Sequence, residues 1–390
     1  MATHTYLDIN IVNNKLNVDD VAPIPVQFNT RRDQDYLKNP DDYFVSVVRW
    51  SIDCRLPVIV PQILLGSTMQ NDALGDFFPT VYIITLYDNT TGKTGIARIN
   101  FRTQSSFPVP FTNITDLSSL YDYPYFWIDS VQYFTSLVNK GFSDAYADLV
   151  LNGGNPNIPQ PFFQNNADGT FTLYAPQEYY WNPTNTADIP NNQIGFNSAL
   201  YTLFNGLNSR VNGWVNSPQT PIGATNYLLL FQSQLTTTFN NIQYIYSITE
   251  YPVVEYWSPL SSIVFTTLSI PVEPTNSNPT SVIGAPTTNL GQVNNNINLD
   301  NIITDFNIEL INGLETRTIT YYYTQGEYRF FDLNSNTSLA DININACWRD
   351  KITGKLHTMY LFTGGGASLK LLFRKKNFYS GNDYYKDFKY

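Results

Sequence analysis

Several stretches of this chain alternate apolar and polar residues with the period of two that belongs to a β-strand. In YFVSVVRWSIDCRLPVIVPQ (43–62), Phe44, Val48, Trp50 and Ile52 share one face, and Val45, Val47 and Ser51 share the other. A pattern apolar on both faces predicts burial between two layers. The stretch YWSPLSSIVFTTLSIPVEP (256–274) goes further, because no charge occurs between Glu255 and Glu273. Trp257, Ile263, Phe265, Leu268 and Ile270 are its candidate core residues. VYIITLYDNTTGKTGIARINF (81–101) reads as a hairpin turning at its Asp-Asn-Thr-Thr-Gly segment. DININACWRD and KLHTMYLF flank KITG as a second hairpin, with Ile342, Ile344, Ala346 and Trp348 on the buried face. Further strands are expected at 226–235, 242–249, 260–272, 302–311, 316–323 and 368–374.

Between 103 and 225 the pattern changes. Trp127, Ile128, Val131, Phe134, Leu137 and Val138 follow helical spacing, and Gly141 is the expected stop. A second helix fits 197–209, capped by Asn197 or Ser198, with Leu200, Leu203, Phe204 and Leu207 on one face. About ten strands with few helices and no regular βαβ alternation predict an all-β fold, a jelly-roll β-sandwich carrying an inserted, loop-rich domain with short helices. The expected division is an N-terminal arm at 1–40, a discontinuous jelly-roll core at 41–105 and 226–376, an insertion at 106–225 and a basic-aromatic tail at 377–390. Within the arm, Leu7, Ile9 and Ile11 alternate with Asp8 and Asn10, so part of it is expected to pair as a strand.

Composition sharpens this picture. Of 390 residues, 43% are hydrophobic but only 14% are charged, well below the usual quarter. The 28 Tyr and 25 Phe favour pleated surfaces and interfaces. The net charge of −10 repels nucleic acid as a whole-body effect. From Lys370 to Tyr390, however, six basic residues face only Asp383 and Asp387. Lys370, Arg374, Lys375, Lys376, Phe378 and Tyr379 are therefore a candidate interaction tail, for an acidic protein partner or for nucleic acid stacked on its aromatics. The alternative is a run of solvated charges ending a surface strand. Cys54 and Cys347 are too few for a disulfide framework and are expected to be buried thiols. The opening MATHTYLDINIVNNKL is polar, no run approaches the about 20 apolar residues of a membrane span, and synthesis in a reducing compartment is expected.

Catalytic chemistry is hard to find. His4 and His357 are the only histidines, and no metal-binding or phosphate-binding signature is present. DLNSNTS (332–338) begins like a calcium loop, with Asp332, Asn334 and Asn336 alternating, but Thr337 and Asn343 stand where Gly and an acid are required. It reads as a polar turn. GGG (364–366) lacks the lysine and helix of a phosphate loop. No enzyme activity and no cofactor are expected.

YSITEYPVVEYWSPLSSIVFTTLSIPVEP (246–274), GEYRFFDLNSNTSLADININACWRDKITGKLHTMYLFTGGGASLKLLFRKK (326–376) and YFVSVVRWSID resemble the minor capsid, or penton, proteins of polinton-like viruses and virophages. The resemblance implies a jelly roll, a homopentamer at the five-fold vertices of an icosahedral virion, and the major capsid protein of the same virus as partner. A host surface receptor is a further partner class. The Arg-Gly-Asp loop of adenovirus-type pentons is absent, so no receptor site carries over. Two other readings stay open: a double-jelly-roll major capsid protein, and a carbohydrate-binding β-sandwich whose exposed aromatics stack on sugars.

Overall fold

The computed structural model describes residues 4–14, 24–64, 70–72, 75–104, 117–181, 190–215, 225–231, 235–272, 275–276, 299–307, 319–323 and 329–376. The chain divides into two compact units: Met1–Leu56 with Pro259–Glu309 and Arg317–Tyr390, and Pro57–Ser258 with Leu310–Thr316.

The first unit is a sandwich of two antiparallel sheets. One runs His4–Val12, Gly366–Lys375, Tyr43–Asp53, Ile319–Tyr323. The other runs Ile302–Asn307, Leu260–Thr267, Asp341–Asp350, which pairs in turn with Gln27–Arg31. Short strands at Phe331–Asp332 and Leu356–Thr358 add to the edges. Numbered along the chain, the eight main strands lie in the orders 1-8-3-6 and 5-4-7-2. This interleaving of two Greek keys is the jelly roll. Between the layers, the Trp50 ring meets Phe265 at 5.7 Å and Phe306 at 5.8 Å, and Phe265 meets Phe306 at 5.9 Å.

Leu260–Thr267 explains its own sequence. It is paired on both edges, and Ser262, Ile263, Val264 and Phe265 are all buried. With no solvent-facing side, it has no polar row. Ile270 is buried too, but Leu268 is 80% exposed, which corrects its assignment to the core. The cause is a side-chain turn. Thr267 Oγ1 accepts from the Ser269 and Ile270 backbone N–H groups and donates to the Asn343 carbonyl. The strand ends there, and the period-two pattern ends with it. Thr267→Val keeps the shape but orphans two N–H groups, that of Ile270 buried and that of Ser269 partly so. Its expected cost is about 1–3 kcal/mol, read from denaturant unfolding.

The segment 1–40 is more than an arm. His4–Val12 and Gln27–Arg31 are the first and second jelly-roll strands, each paired along its whole length. Asp8 faces Lys370, and Lys370 faces Arg49, so the N-terminal strand brings the carboxylate that separates two like charges.

The main stretch of the second unit runs from Pro57 to Ser258, wider than the 106–225 expected from sequence. Its ends meet, with Ser258 Oγ donating to the Pro57 carbonyl at 3.5 Å. The hairpin Gly75–Asp88 and Lys93–Phe101, expected in the jelly roll, pairs with Asn192–Asn197 inside this unit. Thr225–Phe231 pairs there too, and Ile242–Ile248 joins its second sheet. Alternation alone does not say which sheet a strand joins.

Across the hairpin lies a helix, Val131–Leu151, capped by Ser130 Oγ accepting from the Tyr133 N–H. Gly141 does not stop it. A Cβ there would meet Ile99 at 3.0 Å and Ile84 at 3.1 Å, so the glycine lets the helix lie against the hairpin. The stop comes at Gly153, whose φ is +93°. Asn197 does cap the second helix, accepting from the Leu200 N–H, but that helix ends at Leu203. Beside it, Phe163, Phe171, Phe196 and Phe204 form a buried aromatic core, in which Phe163 stacks on Phe204 at 4.4 Å. Trp257 belongs to this core and not to the sandwich. It stacks on Phe171 at 5.0 Å, and its indole N–H donates to the Leu203 carbonyl at 2.8 Å.

Candidate assembly surface

The basic residues 370–376 form no free tail. Lys370, Arg374 and Lys375 lie on Gly366–Lys375, between the N-terminal strand and Tyr43–Asp53, and Lys376 follows directly. Lys370 Nζ is 3.3 Å from Asp8 Oδ2 and 5.3 Å from the centre of the Tyr6 ring. Arg49 reaches the other Asp8 oxygen at 3.6 Å. Arg374 lies over Phe330 at 5.0 Å, and Lys375 stands opposite Tyr43. Lys376 is 3.0 Å from Asp332 and 4.0 Å from Asp41, donates to the Leu333 carbonyl and lies 5.6 Å from the Phe44 ring. Each half-exposed ion pair is worth up to about 1 kcal/mol. The basic run is thus the end of a jelly-roll strand, in which Lys370, Arg374 and Lys376 are met by acids or rings of the same unit. Phe378 and Tyr379 lie outside the described residues.

Other polar groups are also held structurally. Asp332 is engaged by Lys376, and Ser335 Oγ accepts from the Thr337 N–H, so DLNSNTS folds as a turn. Among the described residues, no group of three His, Cys, Asp or Glu could hold a metal. The His357 ring is buried against Trp348 at 4.4 Å. Cys54 and Cys347 form no disulfide. No helix among the described residues is long and apolar enough to cross a membrane.

Burial pushes the Tyr82 phenol up to about 12, and raises those of Tyr179 and Tyr180 as well. Burial also pushes the Asp88 carboxyl up, but hydrogen bonds from Thr91, Asn155 and Thr90 outweigh it and hold the group below the usual carboxylate range. Asp88 thereby ties the hairpin turn to the loop after the helix. These groups are moved away from neutrality, where acid–base work would need them.

Sequence reasoning missed one surface. The sheet ordered Thr236–Phe239, Ile242–Ile248, Phe171–Ala175, Phe162–Asn165 turns Phe163, Phe171, Leu173 and Ile245 into the aromatic core. Its opposite face carries Phe162, Tyr174, Phe239, Ile242, Tyr246 and Ile248. Phe162 and Tyr174 stack at 4.9 Å, and Phe239 meets both edge-on at 5.4 and 5.2 Å. Phe239, Ile242 and Ile248 are 38–44% exposed. None of the four strands has a charged residue. The available signal was the lack of any charge between Arg210 and Glu250.

A family model described as Sputnik minor capsid protein V18/19 matches residues 5–375. The uncharacterized protein V18 of Sputnik virophage is 25% identical over 143 residues, 36% of this chain and 80% of that protein. A chain in the cryo-EM structure of the Sputnik virophage superposes with a TM-score of 0.70 at 23% identity, covering 96% of this chain and 99% of that one. The mavirus penton protein superposes with a TM-score of 0.57 at 14% identity, covering 96% and 100%. The match over nearly the whole chain, on a jelly roll with one large insert, places this chain in the Sputnik minor capsid protein V18/19 family, and it is a structural protein of a viral capsid.

Proposed function

We propose that five copies of this chain close into a ring at a five-fold vertex of an icosahedral shell, where they contact the major capsid protein of the same virus and catalyse nothing. The observation that carries this reading is the likeness of fold to the mavirus penton protein over 96% of the chain. Composition supports it. Shell contacts are broad, with obligate interfaces burying about 2,000 Å² or more, and their cores are rich in aromatics and poor in charge. The double-jelly-roll alternative is disfavoured, because the insert includes a parallel strand pair, Tyr180–Trp181 with Thr225–Phe231, and a long helix packed on its hairpin.

Native mass spectrometry and electron microscopy of the purified protein test this. A pentamer with five-fold views is expected. A trimer with a six-sided outline would make the chain a major capsid protein, and turnover of a small molecule would end the structural reading.

A further inference from the structure

The charge-free aromatic face of the insert is finished in a way that a solvent-facing sheet does not require. We propose that this face, built on Phe162, Tyr174, Phe239, Ile242, Tyr246 and Ile248, seats against a neighbouring copy of this chain, an inference that rests on the ring reading above. The partner is a second copy because of charge. Each chain carries −10, so copies repel one another wherever their acids meet. A contact between them is best made where neither charge nor counter-charge is present. The four strands of this sheet meet that condition, and the chain has no charge from Val211 to Thr249. A strongly basic partner would find no acid here to pair with.

A sugar is a poorer occupant. Carbohydrate stacking needs a flat ring face open to solvent. Here Phe162 and Tyr174 turn faces toward each other, 17° from parallel, and the Phe239 ring stands at 72° to Phe162 and 87° to Tyr174. Tyr244 adds a further edge-on contact to Phe162 at 5.5 Å. Rings that brace one another are ordered before a partner arrives, which lowers the entropic cost of docking a protein surface. Aliphatic Ile242 and Ile248, with Leu235 at 48% exposure, extend the apolar area around the rings. In a closed ring the contact is heterologous, so this face meets a different surface of the next copy.

The test uses the full-length protein. Phe239→Asp combined with Ile248→Asp places charge at two exposed, outward positions. The expected result is a ring whose assembly midpoint moves to at least tenfold higher concentration in native mass spectrometry or sedimentation. Leu151→Asp, at an 85% exposed position on the helix end, should leave the midpoint unchanged. Footprinting by a photoactivated carbene on the unmodified protein provides the second measurement, with Phe239 and Tyr246 labelled less in the ring than in diluted monomer. A double variant that forms the ring at the wild-type midpoint, with the face labelled equally in both states, overturns the inference and leaves the pentamer intact. Loss of binding to a glycan array or to the major capsid protein, with the ring unchanged, overturns it in favour of that partner. A wild-type chain monomeric at every concentration overturns the ring reading itself.

Discussion

Phe265→Asp yields no soluble, cooperatively folding protein. Phe265 is fully buried on the fourth jelly-roll strand, with hydrogen-bonded neighbours on both sides, and its ring faces Trp50 across the sandwich. Removing a buried Phe side chain costs about 3–5 kcal/mol through lost transfer energy and the cavity left behind. An unpaired carboxyl in that cavity adds several kcal/mol more, even if it takes up a proton. The total matches the whole stability of an ordinary domain, about 5–15 kcal/mol. Phe265→Leu separates the two contributions. It keeps the site apolar, should cost under about 2 kcal/mol, and should stay soluble with a lower melting temperature. A Phe265→Asp protein that melts normally would show that this strand does not lie between two layers.

The second large effect is expected in the insert. Gly95 lies under the long helix, and a Cβ built there would be 2.1 Å from the Ala145 carbonyl oxygen and 2.4 Å from the Leu149 nitrogen. Both atoms are backbone, so no rotamer change relieves the collision, and the helix must lift from the hairpin. Gly95→Ala is expected to cost about 3 kcal/mol or more, at the upper end of overpacking effects, and Gly95→Val more than that. Lifting the helix also withdraws Asp148 Oδ2 from the Ile96 N–H, now 2.8 Å away. Hydrogen exchange at Ile96 should therefore accelerate beyond the loss of global stability. Gly92→Ala is the control. Its Cβ would have nothing within 4 Å, but its φ of +66° adds strain of about 1–2 kcal/mol.

Residues that face a single, regular environment were readable in the sequence. The alternation in Asp341–Asp350 is the burial pattern of that strand, and the charge-free run at Ile263–Phe265 marks a strand buried on both faces. In Tyr43–Asp53 the expected face of Phe44, Val48, Trp50 and Ile52 is split, because a bulge at Val48 passes the buried row from Val45 and Val47 to Trp50 and Ile52. Two kinds of information were not readable. The first is long-range. Which sheet the 81–101 hairpin joins depends on strands more than a hundred residues away, so the hairpin's own pattern does not place it in the insert. For the same reason the basic run at the C-terminal end did not announce Asp8 and Asp332 as its partners. The second is the role of a glycine or a hydroxyl. Gly141 fits a helix stop as well as a close approach, and only the facing Ile84 and Ile99 decide between them. Thr267 fits a strand until its hydroxyl turns the chain and exposes Leu268. The aromatic face of the insert left only a negative signal, a long absence of charge.

The pairing of His4–Val12 with Gly366–Lys375 sets an order of events at the ribosome. The first strand to emerge must wait, with one apolar row uncovered, until nearly the whole polypeptide has been made. Most of the insert is one stretch, Pro57–Ser258, whose ends meet, and the whole of its unit is made before Gly366, so it can fold during translation while the sandwich cannot. A nascent chain stalled before Gly366 should therefore hold a finished insert beside an open shell domain, a natural client for a chaperone.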